Sequence, residues 1–314
     1  MGLLTQSWVG FSEFSCVYIE GGKTRERIID GALPRTLRTK SMDRKENTFP
    51  LRLGDIPPEV KDRITNVISH YSVGLVILDR QDNLLHAGSG TFVLAGGRHA
   101  ILTAGHVIDG VKDNYLGLAL TDYEHKFILE RFCLEFKSAP RGKTESVGPD
   151  LGLIYINGPK ISTIKEMRSF FNLDSYVPLI GKEVDIPKMG LWMVFGFPKE
   201  LYNIASHPIE LVGTVYFATD HNYFERNGYD YFDFDFRSPH PGRIPPSLAG
   251  MSGGGVWHAR VLYDPSTEKV HIPQDSDWLT LLGVNFYESP ISDGGRDLRA
   301  HGPKSIYVKL LEVA

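Results

Sequence analysis

HAILTAGH, residues 99 to 106, is an apolar run that stops at two small residues, Ala104 and Gly105, and then delivers a histidine, His106. A short run of this kind suits a buried strand rather than a surface loop. A strand that ends this way can hold an imidazole at the rim of a barrel, with rigid backbone behind it. Similar runs lie on either side: VGLVIL (73–78), GTFVLAG (90–96) and LGLIYI (151–156). They recur later as LWMVFGF (191–197), ELVGTVYFAT (210–219), YFDFDF (231–236), GVWHARVLY (255–263) and TLLGVNFY (280–287). Gly, Asp and Pro punctuate them, which predicts an antiparallel β sandwich or barrel. YFDFDF alternates strictly, so its aromatic face is expected inside and its carboxylate face in water.

Two segments depart from this pattern. PPEVKDRITNVISHY (57–71) opens on prolines and repeats Val60, Ile64, Val67, Ile68 and Tyr71 at helical spacing. ISTIKEMRSFFNL (161–173) is a second helical stretch, inside a connection near residues 158–187. The organisation expected is therefore a poorly ordered extension over 1–53, a helix within 54–72, a first β-rich half over 73–175 and a second over 176–314. Met42 opens MDRKENTFP, a plausible start, and much of what precedes it is expected to be disordered.

Composition excludes several function classes. The chain has 314 residues, 42% hydrophobic and 23% charged, which is ordinary globular usage with length for two cores. A net charge of -4 offers no basic footprint for nucleic acid. No apolar run is long enough for a bilayer-spanning helix, and MGLLTQSWVGFSEFSC lacks the form of a secretory signal. Cys16 and Cys133, the two cysteines, form no disulfide framework and no metal-ligand spacing. These features point to a reduced, cytoplasmic protein without a metal or other cofactor, away from membranes and nucleic acid.

GMSGGGVW (250–257) places a single serine, Ser252, among four glycines of its first six residues. So much glycine is costly in backbone entropy unless the backbone must approach something closely. A nucleophilic serine with an oxyanion hole is one such case. It requires a neighbouring base, usually His, and a carboxylate that orients the imidazole. His106 is the histidine in the most specific surroundings. Asp150, in SVGPDLGLIYI, is the matching acid: it follows turn residues and enters an apolar strand, where a carboxylate would be desolvated.

ILTAGHV around His106, PDLGLI around Asp150 and GMSGGGV around Ser252 resemble the three signature blocks of trypsin-like (chymotrypsin-fold, PA clan) serine peptidases, in the bacterial disulfide-free form. AGSGTFVL (87–94), MVFGFP (193–198) and LLGVNFY (281–287) are similar to flanking strands of that family. The resemblance spans roughly residues 72–310. It implies an all-β fold of two antiparallel six-stranded β-barrels packed face to face, with an N-terminal helix and a short interbarrel helix. By the same resemblance, Ser252 is the nucleophile, His106 the general base and acid, and Asp150 the orienting carboxylate. Backbone N–H groups of Gly250 and Ser252 form the oxyanion hole. The implied substrate is a protein or peptide. Val107 stands where secreted members carry a cysteine, Met251 where zymogens carry an aspartate, and Pro246 where trypsins select basic residues.

Two rival readings follow from the same residues. GMSGG also fits the nucleophile elbow of α/β-hydrolases, with Asp293 and His301 downstream in the required order, but only a short stretch separates those two, Gly253, Gly254 and Gly255 start a helix poorly, and no alternating strand–helix pattern is present. The other rival is a catalytically silent trypsin-like domain that binds peptides or proteins in its cleft.

Overall fold

The computed structural model describes residues 56–313, apart from 80, 82–83, 121–126, 143, 145, 178–186, 188–189, 202–210, 212, 219–220, 238–246, 265, 268 and 292–294. The expected extension over 1–53, with Met42, lies outside these residues. What is described is mostly antiparallel β structure with few helices.

The prolines open α1 (Pro58–Tyr71) as expected, and Val60, Ile64 and Ile68, four residues apart, form its buried stripe. The first sheet contains β1 (Ser72–Leu78), β2 (Leu84–Ala95), β3 (Arg98–Thr103), β4 (Tyr115–Ala119), β5 (Phe127–Leu129), β6 (Leu134–Ser138), β7 (Gly152–Ile156) and β8 (Phe171–Asn172). Their order is β5-β4-β1-β2-β3-β7-β6, with β8 pairing alongside β2. The second sheet contains β9 (Leu191–Gly196), β10 (Thr214–Ala218), β11 (Asn222–Arg226), β12 (Tyr229–Arg237) and β13 (Gly255–Ala259), then β16 (Leu279–Glu288) and β17 (Gly295–His301). Its order is β10-β9-β13-β16-β17-β12-β11. A separate hairpin joins β14 (Leu262–Asp264) to β15 (Lys269–His271). The sheets thus hold eight and seven strands rather than six each, and among the described residues no ladder links their first and last strands.

Two helices lie along the first half. α2 (Gly105–Lys112) begins two residues after β3 ends, and α3 (Lys160–Met167) covers only the first part of the stretch expected to be helical. Phe171 and Asn172, read as helix in the sequence, pair with β2 instead.

Three apolar clusters follow from this layout. One fills the first sheet, around Phe92, Ile101, Val107 and Ile154. Another fills the second, around Phe232, Phe234, Val256 and Leu298. The third joins the halves: Leu102 and Leu153 from the first sheet meet Met193, Trp257 and Leu281 from the second, together with Ile64 and Ile68 of α1. At about 25 cal/mol per Å² of apolar surface, such seam burial is a main stabilising term. Among the described residues, no helix is long and apolar enough to cross a membrane.

Candidate active site

His106 sits in the first turn of α2, not at a strand end. Val107, Ile108 and Val111 bury one face of that helix against the first sheet, which fixes where the imidazole projects. A Cβ at Gly105 would lie 2.8 Å from Oδ1 of Asp150, so only glycine lets that carboxylate close onto the helix start. It accepts twice from one residue. Oδ1 takes the His106 backbone N–H at 2.8 Å, and Oδ2 takes ring Nδ1 at 2.6 Å. A carboxylate only accepts, so the proton sits on Nδ1, and the lone pair of the neutral ring is on Nε2.

Asp150 is buried, as its position before β7 predicted: its side chain is 3% exposed against 28% for His106. Burial alone would raise its pKa. Hydrogen bonds and charge from His106, with Arg141 at 3.8 Å, outweigh that and hold the carboxyl below its ordinary value.

Ser252 lies in the turn that leads into β13, flanked by Gly250 and Gly253 at φ 94° and 91°. Those angles belong to the left-handed region that favours glycine. The loop's backbone donors fall into two sets. Met251 N–H donates to Leu248 O (3.0 Å), Gly253 N–H to Asn285 O (2.7 Å) and Gly254 N–H to Met251 O (2.8 Å). The N–H groups of Gly250 and Ser252 have no acceptor among the described residues. Peptide planarity explains the direction of both. Lys199 N–H takes Ala249 O at 2.7 Å, and Gly254 N–H takes Met251 O. Each anchored carbonyl turns the N–H across its own peptide bond the opposite way.

The serine loop is tied to the His106 region by Ser89 of β2, which the sequence reading did not single out. Its N–H donates to Ser252 O at 2.8 Å. Its Oγ donates to Gly250 O at 2.7 Å and accepts from Phe197 N–H at 2.9 Å. Its carbonyl accepts from Thr103 Oγ1, three residues before His106, at 2.8 Å. Gly253 packs so closely here that a Cβ would fall 2.0 Å from Ser89 O and 2.1 Å from Thr103 Oγ1. A Cβ on Gly88 would lie 3.0 Å from Val107 and 3.4 Å from Ser252 O. The structure therefore joins His106 to Asp150 directly, and ties the backbone of Ser252 to β2, whose Ser89 in turn holds Thr103 three residues before His106. Ser89 lies inside GSGT, whose small residues signal a close approach but not its target.

Among the described residues no His, Cys, Asp and Glu cluster could hold a metal ion. Comparison with known protein families and with curated proteins finds no match.

Proposed function

We propose that this chain is a serine endopeptidase of the chymotrypsin-like, two-barrel type, acting on proteins or peptides through an acyl-enzyme. The observation that carries the reading is the pair of N–H groups of Gly250 and Ser252, without an acceptor among the described residues, at the serine itself and two residues before it, in a loop whose N–H groups at 248, 249, 251, 253 and 254 are engaged. A loop that merely turned would spend its donors on itself.

In this reading Ser252 Oγ attacks the substrate carbonyl while His106 Nε2 takes its proton. The C–O bond forms and the carbonyl electron pair moves onto oxygen, where the two N–H groups hold it. Each such donor contributes about 3–4 kcal/mol to the transition state. His106 then protonates the leaving amine as the C–N bond breaks, and water repeats the sequence to release the acid. Asp150 keeps the ring in its Nδ1–H tautomer and stabilises the imidazolium. The site asks for no cofactor. A reducing, cytoplasmic setting is compatible with Cys133, which is buried and free among the described residues.

The rival reading, a silent peptide-binding domain, differs in one measurable respect. A fluorophosphonate probe should label the wild-type protein and fail to label Ser252→Ala. Folded wild-type protein that never reacts would favour the binding module.

A further inference from the structure

His301 is fully buried at the end of β17, in the second sheet, yet it touches the acid of the first. Its Nε2 accepts the Asp150 backbone N–H at 2.9 Å. The ring proton must then sit on Nδ1, which has no partner among the described residues. Desolvation pushes the imidazole down to about 3, so it stays neutral and remains an acceptor at neutral pH. A buried orphan donor is expensive, and an apolar residue would fill the same space without it.

The surroundings give that cost a reason. The His301 ring stacks on Phe286 at 4.6 Å and lies 5.0 Å from Tyr231. The loop ahead of Asp150 rests on the same rings: a Cβ at Gly148 would meet Tyr231 at 3.1 Å and Phe286 at 3.3 Å. Arg299, two residues before His301 and so on the same face of β17, grips the loop at a second point. Its Nη1 donates to Ser146 O at 2.5 Å, while Nε and Nη2 pair with Asp233 at 2.6 and 2.7 Å.

We infer that His301 is a positioning residue for Asp150: with Arg299 it fixes the loop from the second half so that the carboxylate meets both donors of His106. It acts through Asp150 and touches no reacting atom. The inference deepens the peptidase reading, and its kinetic arm rests on that reading, but its structural arm does not.

The test compares His301→Phe, which keeps an aromatic ring but loses the acceptor, with His301→Gln, whose amide oxygen replaces it. Two quantities are read on the full chain: kcat and KM on a peptide substrate, and the downfield proton resonance of the His106 Nδ1–H···Asp150 bond. His301→Phe should lower kcat about 10- to 100-fold with KM within about twofold, and should shift or erase the resonance. His301→Gln should recover both. If His301→Phe does not fold, Arg299→Lys serves instead. It keeps a cation beside Asp233, loses the grip on Ser146, and should lower kcat in the same direction by less. Folded His301→Phe, or failing that Arg299→Lys, with wild-type kcat and an unmoved resonance overturns the positioning role while the peptidase reading stands. A wild type that neither labels nor cleaves, with the resonance still lost in His301→Phe, overturns the peptidase reading and leaves the positioning role in place.

Discussion

The serine loop and the acid loop are held in opposite ways. Residues 248–254 belong to the second half, and Ser89 of the first half ties them down with neutral hydrogen bonds to backbone groups. Residues 146–150 belong to the first half, and β17 of the second half ties them down with an imidazole and a guanidinium. Each half thus holds the other's contribution to the site. The serine side depends mainly on close fit, with the Glu288 carboxylate also accepting the Leu248 N–H. The acid side depends on His301 staying neutral and Arg299 staying charged, and the two should fail under different insults.

The largest expected effect comes from closing the space on the serine side. Gly253→Ala would force a Cβ to 2.0 Å from Ser89 O at a φ of 91°, and should cost more than about 4 kcal/mol. Denaturant titration, or plain failure to recover folded protein, reads this out; a variant melting within a few degrees of wild type would break the comparison. Next is Asp150→Asn, which keeps the shape but removes the acceptor pair for His106. Turnover should fall about 10⁴-fold, while fluorophosphonate capture of Ser252 slows without the loop unfolding.

Acid should act on the acid side through His301. His301 titrates near 6.5 when unfolded and about 3 when folded, so between those values only the unfolded chain takes up the proton. Stability should therefore fall as pH drops from about 6.5, by up to about 1.4 kcal/mol per pH unit. Asp150, lowered from 3.8, stabilises the fold above that value and loses its contribution only as pH falls further, through its folded pKa. Melting curves from pH 7 to pH 4.5 should slope in the wild type and slope less in His301→Gln, where the lowered pKa of His99 still contributes, while Asp150→Asn keeps the wild-type slope. Equal slopes in His301→Gln and wild type would contradict this. The smallest effect sharpens the serine side. Ser89→Ala removes the hydroxyl that donates to Gly250 O and accepts from Phe197 N–H, and should cost about 1–3 kcal/mol, with no pH dependence between pH 5 and 8.

What the sequence made legible was local. Val60, Ile64 and Ile68 announced α1 by spacing, and β-branched runs announced most strands. Asp150 was legible as a desolvated acid because turn residues precede it and β7 follows. α2 was missed because eight residues, Gly105–Lys112, give too few turns for a period to stand out from the strand before it. YFDFDF did bury Phe232, Phe234 and Phe236, but its other face is not simply wet, since Asp233 is half-buried against Arg299. Ser89 and His301 were illegible for a different reason. They meet Gly250 and Asp150 across 161 and 151 residues, and although GSGT hints at a close approach at Ser89, nothing local shows which distant residue either one meets. Strand count has the same origin, because pairing across the chain decides it.

α1 carries a consequence for anyone trimming this chain. Tyr71 at its end lies 5.7 Å from Phe171 of the first half and 5.6 Å from Trp257, five residues past Ser252, in the second. The helix is a keystone in the seam, and cutting before residue 72 would open a greasy trench directly under the strand that leaves the serine. Indole fluorescence would report that breach before any substrate did.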